Sequence, residues 1–129
     1  MRVSKTLIGV IVGSIGTRYM KYIIAYHVTR KDRIKGILKK GIGYGRSMYE
    51  LAGKYVYLTD EEGAEVVAKY WITCEKVPVI IKVRFPEKWL FSVGGREALY
   101  GKKYIALEWK SKKAIPTECI IEIYEYEGC

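Results

Sequence analysis

A chain of 129 residues, half of them apolar and 29% charged, is long enough for one domain with a real hydrophobic core, and that balance excludes a disordered chain. Its formal charge of +9 attracts polyanions and nucleotide phosphates without saying which. Asparagine and glutamine are absent while Lys, Arg, Glu, Ile, Val and Tyr abound, a thermophilic bias against thermolabile amides.

Taken in order, the chain opens with its least regular stretch. Arg2 and Lys5 precede an apolar run, Leu7 to Ile15, that has the outline of a signal-peptide start but no small-residue cleavage site. The run is too short to span a bilayer, so no membrane partner is expected and the chain reads as cytoplasmic. Gly9, Gly13 and Gly16 weaken a helix there. Residues 1–19 therefore read as an extra strand or as an extension before Met20, and 20–129 as one domain.

Lys21 to His27 reads as a strand, with Ile23, Ile24 and Ala25 as a short buried run. An amphipathic helix is predicted directly after it, with Ile34, Ile37, Leu38 and Ile42 on one face. Thr29 is placed to cap it, Asp32 sits three residues on as in a capping box, and Gly41 stands where a terminating glycine belongs. Arg30, Lys31, Arg33, Lys35, Lys39 and Lys40 make this the densest basic cluster. Such a cluster is either a solvated face or a rim that attracts phosphate. His27, the one histidine, thus lies between a strand and a helix start. That is a setting for anion or nucleotide binding, or simply for a histidine satisfied by a backbone carbonyl.

Ile42 to Gly53 reads as a glycine-rich loop carrying Tyr44, Arg46 and Tyr49. It is not a phosphate loop, because no Gly-Lys-Ser/Thr follows. Lys54 to Leu58 is the next strand. Asp60 then caps a helix in which Ala64, Val67, Ala68 and Trp71 recur on one face, with Glu61 and Glu62 in its first turn. Strands follow at Val77–Phe85, Tyr104–Trp109 and Cys119–Tyr126, with a short element at Lys88–Val93 and a basic turn at Ser111–Ala114. Helices in the first half and strands in the second indicate an α+β fold.

The three cysteines, Cys74, Cys119 and Cys129, lack CxxC spacing, which with a single histidine argues against a structural zinc site; no metal is expected. Cys74 and Cys119 read as small buried apolar residues, with a disulfide between them as the alternative.

Three stretches together resemble the diphtheria-toxin-like ADP-ribosyltransferase family, most familiar in poly(ADP-ribose) polymerases. The first runs through His27, Thr29, Gly36, Ile37, Leu38, Gly41 and Ile42. The second is Lys54-Tyr55-Val56-Tyr57-Leu58-Thr59-Asp60, with Ala68-Lys69-Tyr70 beyond it. The third is Glu108 followed by Ile115-Pro116 and Ile120. The resemblance implies a split fold of two packed, mostly antiparallel β-sheets with two helices in the N-terminal half. It also implies NAD⁺ as substrate and a His–Tyr–Glu site. His27 would bond the adenosine-side ribose and Thr29 the nicotinamide amide. Tyr57 would stack on the nicotinamide ring, with Tyr70 as a second wall, and Glu108 would stabilise the cationic transition state. Val28 stands where many members have glycine. The expected activity is transfer of ADP-ribose to a macromolecule: RNA, DNA or protein. Two alternatives are an RNA 2′-phosphotransferase-like enzyme that also uses NAD⁺, and an inactive domain that binds nucleic acid through Arg30, Lys31, Arg33, Lys35 and Arg46. Glu118 competes with Glu108 for the carboxylate role.

Overall fold

The computed structural model describes residues 2–4, 21–43, 55–92, 94–100 and 104–129. Seven strands and two helices follow in chain order. They are β1 (Arg2–Ser4), β2 (Tyr22–Arg30), α1 (Ile34–Lys40), β3 (Val56–Leu58), α2 (Glu61–Val67), β4 (Pro78–Pro86), β5 (Arg96–Tyr100), β6 (Tyr104–Ser111) and β7 (Ile120–Glu125). The fold is α+β with two antiparallel sheets, one of four strands in the order β1-β7-β4-β2 and one of three in the order β3-β6-β5.

Alternation along the strands decides what each face meets. One face of the larger sheet presents Ala25, Val79, Ile81, Val83, Phe85 and Ile123. These pack against Val56 and Leu58 of the smaller sheet and against Ile37, Ile42 and Ile115, forming the main core. The opposite face, at Tyr26 and Ile80, is covered by Ala64 and Ala68 of the second helical segment. The sheets meet at one bridge, where Tyr26 and Thr59 exchange both backbone hydrogen bonds at 2.8 Å. Beyond it β2 and β3 diverge.

Several sequence expectations hold. Asp60 caps α2, its carboxylate accepting from the Gly63 N–H at 2.8 Å. Gly41 ends α1 with φ 94°, its N–H donating to the Ile37 carbonyl. The predicted extra strand of the opening segment is described only at Arg2–Ser4, which pairs with β7. Most of the loop Ile42–Gly53, including Arg46, and the run 7–15 lie outside the described residues.

Other expectations are corrected. Thr29 does not cap a helix. The strand continues through Thr29 and Arg30, because β4 offers them partners in Val79 and Pro78 and the Thr29 side chain is buried. A tight turn, Lys31–Arg33, intervenes before α1, and Asp32 pairs with the Arg30 side chain at 3.2 Å rather than closing a capping box. Leu38 and Trp71, assigned to buried faces by periodicity, are 53% and 65% exposed. After Val67 the helix widens into a π-type turn, Ala68–Ile72, which rotates Trp71 off the α-helical stripe. Strand β5 was not foreseen.

Cys74 is not a small buried apolar residue but an exposed one in a disulfide with Cys129, and Cys119 is a free, half-buried thiol whose pKa is raised first by burial and then by Glu118. Cys74 lies between Thr73 (φ 71°) and Val77 (φ 54°), both in the left-handed region that non-glycine residues avoid. The strain is held in place on several sides. The disulfide fixes Cys74, the Val77 carbonyl accepts from the Lys31 N–H, and the Pro78 carbonyl accepts from the Tyr126 N–H.

Candidate functional site

His27 stands on the inner face of β2, in the same alternation as Ala25 and Thr29. Its position at the divergence of the sheets explains its bond. The Thr59 carbonyl points at β2 and accepts from the Tyr26 N–H. The Tyr57 carbonyl, two residues earlier on β3, points the same way, toward the place where a continued ladder would bring a backbone N–H. His27 Nδ1 takes that place and donates to it at 2.8 Å. A carbonyl only accepts, so Nδ1 carries the hydrogen, and in the neutral ring Nε2 is left with its lone pair. Burial is the largest influence on the ring and holds its pKa below 6.5; the Tyr57 carbonyl opposes this and Arg33 adds to it.

Tyr57 and Glu108 lie on the other face of the smaller sheet. Val56, Leu58 and Trp109 turn into the core, so Tyr57, Glu108 and Lys110 project to the opposite side. Glu108 is 8% exposed, despite its charge. Two residues on β5 make that burial affordable. Arg96, directly across the ladder, places Nε at 3.0 Å and Nη2 at 2.9 Å from Glu108 Oε1. Tyr100 donates its hydroxyl to Oε2 at 3.0 Å. The phenol of Tyr100 stays protonated far beyond neutral pH, because burial and the Glu108 charge both raise its pKa. Tyr57 is raised for the same two reasons, burial first, which records that its ring lies within the field of the Glu108 carboxylate.

Arg96 and Tyr100, the partners of Glu108, are residues of the candidate site that the sequence reading missed. Their signal was the alternation in Arg96-Glu97-Ala98-Leu99-Tyr100 after a Gly-Gly turn, which is polar on both faces and carries no apolar run. Gly95 opens that strand with φ 64°, and a Cβ there would come within 2.8 Å of the Trp109 ring.

His27 reaches only the Tyr57 backbone, so the Tyr57 ring and Glu108 share one face of the smaller sheet and the His27 ring lies on the other. Thr29 is buried two residues beyond His27, on the same face of β2. Tyr70 is set apart from Tyr57. It stacks on Tyr104 with ring centres 3.4 Å apart, and Tyr104 is four residues from Glu108 along β6, about 13 Å. Glu118 is exposed on the turn before β7.

The predicted basic cluster is largely answered by acids at its start. Arg30 pairs with Asp32, and Lys31 with Glu125 at 3.5 Å, whose carboxyl Lys31 holds below its usual range. Arg33 and Lys35 are exposed. Among the described residues, no group of three or more His, Cys, Asp or Glu is arranged to hold a metal ion, and no helix is long and apolar enough to cross a membrane. No family model matches the chain, and no curated protein matches it.

Proposed function

We propose that the chain binds NAD⁺ at the divergence of its two sheets and transfers ADP-ribose to a macromolecular acceptor, as an ADP-ribosyltransferase-like split fold. The observation that supports this reading is the Glu108 carboxylate, buried and held by Arg96 and Tyr100 on the same face as the Tyr57 ring. In the reaction the bond between the nicotinamide nitrogen and ribose C1′ breaks and neutral nicotinamide leaves with the bonding pair. Positive charge builds on the sugar, the acceptor's nucleophile adds at C1′, and its proton is released. A carboxylate fixed in place beforehand stabilises that charge without reorganising during the step. Glu108 is so fixed by Tyr100 and Arg96. The Arg96 side chain is 65% exposed, so it can swing into water while a sugar hydroxyl takes its place as donor to Glu108.

The neutral His27 ring alters one detail of the resemblance. With Nδ1–H given to Tyr57, Nε2 accepts a hydrogen bond from a ribose hydroxyl rather than donating one. Tyr57 offers its ring face to the nicotinamide cation, and by the resemblance Thr29 would contact the carboxamide.

The test is direct. The purified chain, incubated with NAD⁺ labelled in the nicotinamide and in the adenosine, should release labelled nicotinamide and carry adenosine label to an added protein or nucleic acid. A shift of the reaction to 2′-phosphorylated RNA, with loss of the 2′-phosphate, would assign the RNA 2′-phosphotransferase reading instead. A chain that neither binds NAD⁺ nor releases nicotinamide from it would remove the enzyme reading.

A further inference from the structure

Lys110 is the centre of a second arrangement beside the proposed NAD⁺ site, with which it shares Tyr57. Tyr55 and Tyr57 project to the same side of the sheet, and the Lys110 ammonium sits 5.6 Å from the first ring centre and 5.8 Å from the second. On the other flank of Lys110, the Phe91 N–H donates to the Lys110 carbonyl at 2.8 Å, and the Phe91 ring meets Tyr55 edge-on at 5.8 Å. Phe91 is 63% exposed. The acidic residue on this face, Glu108, is already engaged by Arg96 and Tyr100, so its charge is not left to cancel Lys110. Lys112 and Lys113 follow on the surface, and Lys113 lies over Trp89 at 5.5 Å.

We propose that this surface binds single-stranded nucleic acid. An open aromatic ring beside interleaved cations fits a partner that alternates flat π faces with negative charge. Bases stack on Phe91 and Tyr55 while phosphates meet Lys110, Lys112 and Lys113, the pattern by which single strands are held without sequence preference. Duplexes fit poorly, because their base faces are already stacked. An acidic peptide would use the lysines but leave Phe91 without a partner. This surface, rather than the predicted basic cluster, is the favoured one, since Arg30 and Lys31 are matched by carboxylates.

Fluorescence anisotropy with short labelled single-stranded RNA, single-stranded DNA and duplex DNA, without NAD⁺, tests the proposal. Both single strands should bind more tightly than the duplex. Phe91→Ala should weaken single-strand binding roughly tenfold, and Phe91→Trp should retain it. Lys110→Met should lower the slope of log affinity against log salt by about 0.7, the share of one phosphate. Duplex binding equal to single-strand binding would overturn it. So would Phe91→Ala without effect, or binding lost only on neutralising Arg33 and Lys35. Because the readout contains no NAD⁺, failure of the transferase reading leaves this result interpretable.

Discussion

Glu108 shows how a charge survives burial. An ionised carboxylate taken from water is costly unless donors replace the water, and Arg96 and Tyr100 do so at 2.9–3.0 Å. Tyr100→Phe removes one donor and should destabilise the fold by about 1–3 kcal/mol in urea denaturation; an unchanged midpoint would mean that Oε2 finds another partner at no cost. His27 gives a pH dependence of defined sign. Its folded pKa lies below the unfolded 6.5, so the unfolded chain takes up the proton first. His27 therefore costs no stability above pH 6.5, and stability is lost as pH falls from there toward the folded pKa. His27→Gln should flatten the part of the stability curve just below pH 6.5; an identical slope in the variant would assign the loss to other groups. His27, Tyr57 and Glu108 were singled out through the family resemblance. Arg96 and Tyr100 were not, since what makes them matter is the ladder that sets Arg96 across from Glu108.

At the scale of elements, local chemistry was read correctly where no partner competed for it. Asp60 caps α2 because nothing else claims its carboxylate. Asp60→Ala should cost about 1 kcal/mol in thermal denaturation, and Asp60→Asn much less; equal losses would show that the charge, not the cap, matters. Thr29 failed as a cap because β4 supplied a longer strand with a pairing partner, and a sequence read in windows does not contain that partner. Strand β5 went unseen for a related reason. Its residues alternate between exposed and half-buried positions at a sheet edge, so hydrophobic periodicity had little to register. Leu38 and Trp71 carried helical periodicity without burial, because α1 is only seven residues long and the second helical segment widens before Trp71.

Across the whole molecule, one covalent link closes a separation of 55 residues, joining the strained Thr73–Val77 segment to the residues that follow β7. The chain-entropy model gives about 4 kcal/mol for a loop of that length. Cys129→Ser, or reduction, should therefore lower the melting temperature markedly, while Cys119→Ser should not; equal effects would contradict the pairing. The α+β class was legible because helices and strands separate along the chain. The splay of the two sheets was not, since it rests on a single Tyr26–Thr59 bridge. The central claim is that Glu108, held at that splay, stabilises the charge that develops as nicotinamide leaves, and Glu108→Gln tests it most directly. The substitution keeps size and hydrogen bonding but removes the charge. Nicotinamide release from labelled NAD⁺ should fall by roughly 10²–10³ or more, while NAD⁺ still raises the melting temperature of the variant. Full activity in Glu108→Gln together with its loss in Glu118→Gln would contradict the account, as would a parent chain that neither binds nor cleaves NAD⁺.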